Sequence, residues 1–343
     1  MHPFSKIKRI HRSEELLDIV FHRASRLNLE VARRASPIVK ARKREVARVR
    51  FISDNLVGYL LGTVKEFPNF DEIHPFYREL ADILVGVGKL KEVLASIEGA
   101  TRVIKKIAGE KIRVIRFSEY PKQASRARIE AYARISSVIK KLGSRLDFLV
   151  EASKALSRLP TVNTDEFTVV VAGYPNTGKS SFVSAVSSAK PEIAEYPFTT
   201  KKIILGHFSY NNSRCQIIDT PGVLDRPMRE RNPIELQAIT AIRHIANVVV
   251  FIIDPSLSCG YPLEGQLDLL REIRETFPTL PVVVVINKVD LISSEDLDEV
   301  KKKVDKPIEM VAIQKIGVQE ALEASIKTGK FQGELKYAKG TAL

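Results

Sequence analysis

A glycine-rich stretch near the middle of the chain has the residue types and the spacing of a phosphate-binding loop. Gly173-Tyr-Pro-Asn-Thr-Gly-Lys-Ser180 fits the pattern G-x-x-x-x-G-K-[ST]. The apolar run before it predicts a buried strand, and the residues after it predict a helix. Glycines allow successive backbone N–H groups to converge on one anion, and a helix N-terminus adds partial positive charge. The predicted phosphate contacts are Gly173, Asn176, Thr177, Gly178, Lys179, Ser180 and Ser181.

A set of oxygen-bearing side chains could hold a magnesium ion beside those phosphates. Ser180 supplies a hydroxyl, and Asp219 supplies a carboxylate at the end of a second strand-like run. In the loop after the first helix, Thr199 or Thr200 could supply another hydroxyl, and Thr200 is favoured. Gly222 follows Asp219 closely, and its N–H could donate to a γ-phosphate, which would couple this loop to the nucleotide state.

The stretch Asn287-Lys-Val-Asp290 follows another apolar run and predicts that the bound base is guanine. Asp290 can accept hydrogen bonds from the guanine N1–H and exocyclic amine, a pair of donors that adenine lacks. Asn287 is predicted to brace the loop, and the stem of Lys288 to cover the base. The N–H of Ala312 is predicted to meet the guanine O6. Val311 replaces the serine that is usual beside it, which predicts modest affinity.

Hydrolysis is predicted to be slow, because Val223 follows Gly222 where many GTPases place a water-orienting glutamine. Asn176 offers one compensation, since its side-chain oxygen could help hold a potassium ion against the phosphates. A cis arginine offers a second, from Arg226, Arg229 or Arg231. The residues predicted to act in catalysis are Lys179, Asn176, Thr200 and Gly222.

The pattern of apolar residues divides the chain into two folds. Residues 1–160 show helical spacing without a strand pattern, which predicts an all-α helical bundle. Its last predicted helix begins at Pro121, with an apolar stripe from Ile129 to Leu149. After residue 160 strands and helices alternate, which predicts an α/β P-loop GTPase domain with a mostly parallel sheet and helices on both faces. The predicted boundaries are 1–160, 161–330 and a mobile basic tail at 331–343.

The positive charge of the chain belongs to its N-terminal half. Residues 1–160 hold 33 Lys+Arg and 18 Asp+Glu, whereas residues 161–343 hold 21 and 23. This excess suits RNA or an anionic membrane, and a solvated helical surface is the third interpretation. Four aromatic residues are predicted to lie in the core rather than to stack on bases: Phe51, Tyr59, Tyr120 and Tyr132. The RNA-binding candidates are Arg42, Lys43, Arg44, Arg48, Lys122, Arg126 and Arg128.

Many of these stretches resemble the nucleolar GTP-binding protein (Nog) family, close kin of the Obg GTPases. The similar segments are Gly173–Asn176, Tyr196–Lys201, Gly206-His207, Asp219–Pro227, Glu230–Asn232, Glu235–Thr240, Cys259-Gly260 and Glu264–Gln266. They cover the second half densely, whereas the helical half matches the family in layout. The resemblance implies a role in assembling the large ribosomal subunit, with the helical domain on ribosomal RNA. Because the chain stops soon after the GTPase domain, it is similar to a compact archaeal form.

Composition favours a soluble intracellular protein. No apolar run approaches the roughly 18 residues needed to cross a bilayer, and two cysteines are too few for a disulfide framework. We expect a cytoplasmic, ribosome-associated protein that binds GTP and GDP with Mg²⁺, and K⁺ is a further candidate. We also expect a monomer off the ribosome, without stable membrane association. Two alternatives stay open: a GTP-dependent RNA-binding scaffold without catalysis, and a membrane-associated GTPase.

Overall fold

The computed structural model describes residues 2–27, 35–197 and 202–340, with side chains described up to residue 329. These residues form two compact units. The helical unit consists of described residues within 3–73 and 84–157. The sheet unit consists of His2, residues 74–83 and the described residues from 158 onward. The second junction lies close to the boundary expected at residue 160, but the sheet unit also includes a segment from the N-terminal half.

The described part of the N-terminal half is helical. Its helices are α1 (Ser13–Ser25), α2 (Pro37–Glu66), α3 (Pro75–Val85), α4 (Val87–Arg116), α5 (Pro121–Lys141) and α6 (Gly143–Ser157). Helices α2, α4 and α5 pack along one another. Their facing sides fully bury apolar residues such as Leu56, Ile97 and Ile135. The predicted all-α bundle is confirmed.

The predicted last helix is two helices. Leu142 separates α5 from α6, and its N–H donates to the carbonyls of Ile139 and Lys140. The apolar stripe also begins later than expected, because Ile129 is 57% exposed whereas Ile135 and Ile139 are fully buried. Helical spacing alone does not show which of two adjacent apolar rows a neighbouring helix covers.

The sheet unit contains a seven-stranded sheet in the order β2-β3-β4-β1-β5-β6-β7. Its strands are β1 (Phe167–Ala172), β2 (Glu192–Ala194), β3 (Ile203–Tyr210), β4 (Ser213–Asp219), β5 (Val248–Ile253), β6 (Val282–Asn287) and β7 (Ile308–Met310). The β1–β4, β1–β5, β5–β6 and β6–β7 pairs are parallel, and the β2–β3 and β3–β4 pairs are antiparallel. The mostly parallel sheet is thus confirmed.

The parallel strands place their carboxyl ends at one edge, which is where ligands bind in open α/β sheets. The helices that follow them are α7 (Lys179–Val186), α8 (Pro233–Ala241), α9 (Leu263–Thr276), α10 (Ser294–Lys303) and α11 (Val318–Gly340). Phe182 of α7 and Ile326 of α11 pack in one core with Val250 of β5. Because α11 extends to Gly340, the segment from residue 331 is helical as far as the structure describes it; its mobility stays a prediction.

Helix α3 lies in the N-terminal half of the sequence, but its first residues belong to the sheet unit. Phe76 has no exposed surface, and it lines a small apolar cavity with Val170 of β1. The Tyr77 hydroxyl accepts the N–H of Val162 at 2.9 Å and lies 3.1 Å from the Pro160 carbonyl. Burial raises the pKa of Tyr77 to about 12. These contacts hold the segment from Pro160 to Val162, which leads into β1, against α3.

Candidate nucleotide-binding site

The glycine-rich loop joins β1 to α7, as its sequence predicts. Gly173 and Gly178 have φ values of +133° and +104°, which other residues rarely adopt. A Cβ atom at Gly173 would lie 2.5 Å from the carbonyl oxygen of Ile252, and one at Gly178 would collide with the side chain of Asn287. Both glycines are therefore required by the close approach of neighbouring strands. The buried Thr177 hydroxyl donates to the Tyr174 carbonyl at 2.9 Å and closes the loop.

Lys179 is folded into the loop. Its ammonium donates to the carbonyls of Gly173 at 2.8 Å and Tyr174 at 2.7 Å, and the residue is only 6% exposed. A phosphate anion in the place of these carbonyls would stabilise the buried ammonium more than the neutral carbonyls do. The geometry suits the predicted role of Lys179 as the phosphate-neutralising residue.

Ser180 and Asp219 meet where a magnesium ion was predicted. The Ser180 hydroxyl donates to Asp219 Oδ2 at 2.6 Å, and Asp219 has no exposed surface. Its Oδ1 is buried without a hydrogen-bond partner among the described residues. Burial raises the pKa of Asp219, against the Ser180 hydrogen bond and the charge of Lys179. A buried carboxylate with one unpaired oxygen, beside a hydroxyl, fits a hard divalent cation. Thr200, the third predicted ligand, lies outside the described residues.

Asn287, the last residue of β6, connects the phosphate loop to the loop after β7 that carries Ala312. Its Nδ2 donates to the Thr177 carbonyl at 2.8 Å, and its Oδ1 accepts the N–H of Ala312 at 2.9 Å. The predicted bracing role of Asn287 therefore extends to three loops. The prediction that the Ala312 N–H meets guanine O6 does not fit this geometry, because that N–H is already donated to Asn287.

Lys288 is held in place by a network that the sequence did not reveal. Its backbone lies in the left-handed region, with φ +61°. Its ammonium donates to Asp254 Oδ2 at 2.7 Å, to the Ser258 hydroxyl at 2.8 Å and to the Asn176 carbonyl at 2.8 Å. Burial acts to raise the pKa of Asp254, but hydrogen bonds from Lys288 and Ser256 outweigh it and hold that pKa below its usual value. Lys288 thus lies across the cleft as an ordered stem.

The loop that carries Asp254 is itself fixed by a buried amide. Gln266 has no exposed surface, and its Oε1 accepts the N–H of Asp254 at 2.8 Å. Its Nε2 donates to the carbonyls of Asp254 at 2.8 Å and Tyr261 at 3.0 Å. Among the sequence signals, Gln266 appeared only within the family resemblance, and Asp254 in none.

Asp254→Asn is expected to weaken guanine-nucleotide binding about fivefold, because it removes the charged acceptor that orders Lys288. The measurement is the dissociation constant of GDP by isothermal titration. Ser258→Ala is the matched control, since it removes one acceptor but leaves the ion pair intact, and we expect less than a twofold effect. Equal affinities of the wild type and the Asp254→Asn variant would show that the ion pair does not position the site.

These loops enclose one cleft of about 530 Å³, which is the size of a small-molecule site. The phosphate loop forms one end, and Asp290 with residues 311–314 forms the other. Asp290 is exposed to the cleft, and the Gln314 amide lies 3.4 Å from its Oδ2. The predicted residues that line this cleft are Asn176, Gly178, Lys179, Ser180, Ser181, Asn287, Lys288, Asp290 and Ala312.

The Gly222 N–H, predicted to meet a γ-phosphate, has a carboxylate partner in this structure. It donates to Asp225 Oδ2 at 2.7 Å. Arg231 Nη1 donates to the Gly222 carbonyl at 2.8 Å, and its Nη2 lies 3.5 Å from Asp225 Oδ1. Both side chains are almost fully buried. Arg231 therefore braces this turn, and Val223, which is fully buried, offers nothing to an attacking water.

Three of the RNA-binding candidates surround a buried carboxylate in the helical unit. Glu45 is 1% exposed, and Arg128 Nε lies 2.7 Å from its Oε2. Arg44 Nη2 lies 3.1 Å from Oε1, and Arg48 Nη1 lies 3.8 Å from Oε2. Arg44 and Arg48 thus lie against Glu45, because a carboxylate this deeply buried requires nearby cations. Their contact with RNA phosphates stays a prediction.

The other candidates lie nearer the surface. Arg42 donates to the Ser118 carbonyl, Arg126 lies 3.4 Å from Glu130, and Lys43 and Lys122 are exposed. Tyr120 is 63% exposed, so its predicted place in the core is wrong. It lies in the turn between α4 and α5. Phe51, Tyr59 and Tyr132 are half-buried. Within the described residues no helix is long and apolar enough to cross a bilayer.

Comparison with known proteins shows which family the chain is similar to. Two family profiles match, the NOG1 N-terminal helical domain over residues 4–163 and Nucleolar GTP-binding protein 1 (NOG1) over residues 233–290. Nucleolar GTP-binding protein 1 of Eremothecium gossypii is 37% identical over 302 residues, which is 88% of this chain and 47% of that relative. The protein of that name from Drosophila melanogaster is 32% identical over 98% of this chain and 52% of its own length. The chain thus spans about half the length of these named relatives.

Two further matches differ in how much of each chain they cover. An uncharacterised protein of Methanocaldococcus jannaschii is 38% identical over 294 residues, which is 85% of this chain and 82% of that relative. A crystal structure described as a nucleolar GTP-binding protein 1 from Plasmodium falciparum is 32% identical to this chain, with a TM-score of 0.46. The match covers 53% of this chain and 95% of the chain in that crystal structure.

Proposed function

Because this chain belongs to the nucleolar GTP-binding protein 1 family, we propose that it binds and hydrolyses GTP during assembly of the large ribosomal subunit. We propose that the helical unit binds ribosomal RNA. The observation that carries the nucleotide assignment is the convergence of the phosphate loop and the Asn287–Asp290 stretch on one cleft. Asn287 fixes the spacing between the two, so one end of the cleft suits phosphates and the other suits guanine.

The residues of the cleft have distinct roles in this proposal. Lys179 exchanges its carbonyl partners for the β- and γ-phosphates. Ser180 and Asp219 hold the magnesium ion, and Thr200 adds a ligand once GTP is bound. Magnesium bound there would neutralise charge on the phosphates. Asp290 selects guanine, and Lys288 covers the base.

The nucleotide assignment is tested by direct competition. The full chain is equilibrated with a fluorescent GDP analogue, and unlabelled GTP, GDP and ATP are titrated against it in the presence of Mg²⁺. We expect GTP and GDP to displace the probe and ATP to fail at a hundredfold higher concentration. Equal displacement by ATP would contradict the guanine assignment.

The RNA assignment is supported by the charge excess of the helical half. Binding of large-subunit ribosomal RNA is measured across a potassium chloride series. Phosphate contacts release counterions, so the association constant is expected to fall steeply as salt rises. A parallel sedimentation assay with anionic vesicles tests the membrane alternative, which requires vesicle binding stronger than RNA binding.

A second candidate function is favoured by the burial of Val223. A protein without a water-orienting side chain could act as a GTP-dependent RNA-binding scaffold, in which turnover has no role. Single-turnover phosphate release with and without large-subunit precursor particles separates the two. Hydrolysis accelerated by the particles supports the enzyme, whereas an unchanged basal rate supports the scaffold.

Potassium is expected to accelerate GTP hydrolysis several-fold relative to sodium, because Asn176 is exposed at the phosphate end of the cleft and can help hold a cation there. The measurement is phosphate release at equal ionic strength in the two salts. Asn176→Ala should abolish the difference, and Asn163→Ala, which lies before β1, should retain it. Equal turnover of the wild type in sodium and potassium would exclude the hypothesis.

A further inference from the structure

A basic pocket lies on the helical unit, away from the nucleotide cleft. It has a volume of about 480 Å³ between α2 and the carboxyl end of α4. Its cations are Arg42, Lys43, Arg50 and Arg116, and its apolar wall includes Val39 and Val46. None of the described lining residues is acidic. The pocket thus suits a ligand that is anionic on one side and apolar on the other.

Two exposed aromatic side chains lie in the turn next to this pocket. The turn between α4 and α5 carries Phe117, which is 79% exposed, and Tyr120, which is 63% exposed. Arg42 joins the two features, because its Nε and Nη2 donate to the carbonyl of Ser118 at 2.9 and 2.5 Å. A side chain that lines the pocket is therefore fixed against the turn that presents the rings.

We infer that the basic pocket and its aromatic turn bind an unpaired RNA nucleotide, with phosphates at the cations and a base stacked on Phe117 or Tyr120. This inference rests on the proposed RNA binding and specifies its site and its ligand. Unpaired bases expose their faces to aromatic rings, whereas bases within a duplex do not. Glu119 lies between the two aromatic residues in the sequence and repels phosphate, so the RNA phosphates are assigned to the cations of the pocket and not to the turn.

The pocket is separate from the arginines that neutralise Glu45. Along α2, residues 39, 42, 43, 46, 47 and 50 recur at helical spacing on one face, whereas Arg44 and Arg48 face Glu45 on another. Substitutions in the pocket therefore leave the buried ion-pair cluster intact. This separation allows RNA contacts to be tested without unfolding the helical unit.

The test compares single-stranded and duplex RNA of equal length, with the full chain and fluorescently labelled oligonucleotides at one salt concentration. Phe117→Ala with Tyr120→Ala is expected to weaken single-strand binding about tenfold and to leave duplex binding unchanged. Arg50→Ala with Arg116→Ala is expected to weaken single-strand binding and to lower its salt dependence. A 2-aminopurine base in the strand should be quenched by the wild type and not by the aromatic double variant.

Matched controls lie on another part of the helical unit. Ile129→Ala removes an exposed apolar side chain from α5, and Arg102→Ala removes an exposed cation from the middle of α4. Both should bind RNA like the wild type. Wild-type affinity in the aromatic double variant, or an equal loss for duplex and single strand, would overturn the inference while leaving RNA binding intact. Loss of anionic-vesicle binding with unchanged RNA binding would also overturn it, and absence of RNA binding by the wild type would refute the proposed RNA function itself.

Discussion

Asp290→Asn is expected to lower the affinity for GTP and GDP about a hundredfold and to create affinity for xanthosine nucleotides. The carboxylate accepts two hydrogen bonds from the guanine edge in our proposal, and hydrogen bonds to a charged group are worth about 1.5–3 kcal/mol each. An amide can accept only on one side and presents a donor on the other, which matches the 2-oxo group of xanthine. The measurement is the dissociation constant of each nucleotide by titration calorimetry.

The control for this prediction is Gln314→Ala. Gln314 contacts the same carboxylate through a long 3.4 Å hydrogen bond, and both residues are exposed. Removing it perturbs the surroundings of Asp290 without removing the acceptor, so guanine should stay the preferred base. If Asp290→Asn binds GTP like the wild type, or fails to bind xanthosine triphosphate while it remains folded, the base lies elsewhere in the cleft.

The sequence predicted the composition of the cleft because its motifs are tied to strand ends. Gly173, Asp219 and Asn287 each lie at or just after the carboxyl end of a parallel strand, β1, β4 or β6. Parallel strands place those ends at one edge of the sheet. Three local patterns were therefore enough to predict one site, although β1 and β4 lie far from β6 in sequence.

The internal partners within the site could not be predicted, because they depend on distances between loops. Nothing in the residue types showed that Ala312 donates to Asn287 or that Asp254 pairs with Lys288. The same limit applies to the helical unit. Helical spacing located its helices, but the buried position of Glu45 and the exposure of Tyr120 depend on which helices pack together.

In the turn after β4, a contact that the sequence did not predict bears on the proposed function. The proposed γ-phosphate donor, Gly222 N–H, is paired with Asp225, and Arg231 holds that carboxylate in place. A γ-phosphate and Asp225 would compete for one N–H group, and their negative charges would repel each other. In our proposal, binding of GTP at Gly222 therefore requires Asp225 to leave, whereas binding of GDP does not.

Asp225→Asn is accordingly expected to raise the affinity for GTP relative to GDP about twentyfold. An amide oxygen is a weaker acceptor than a carboxylate in a buried site, so the Gly222 N–H becomes easier to transfer to the γ-phosphate. The measurement is the ratio of dissociation constants for a non-hydrolysable GTP analogue and GDP, with the thermal midpoint recorded to show that the variant is folded.

The effect of a lost negative charge on the GTP-to-GDP ratio must be separated from the effect of the lost hydrogen bond. The same segment offers a matched control. Glu230→Gln removes one negative charge from an exposed position, without a carboxylate at Gly222 being lost. It should leave the GTP-to-GDP ratio within twofold of the wild type. A ratio raised equally by both variants would assign the effect to general electrostatics. A ratio unchanged by Asp225→Asn would show that the Gly222 N–H does not serve the γ-phosphate, since breaking its bond to Asp225 would then carry no cost specific to GTP.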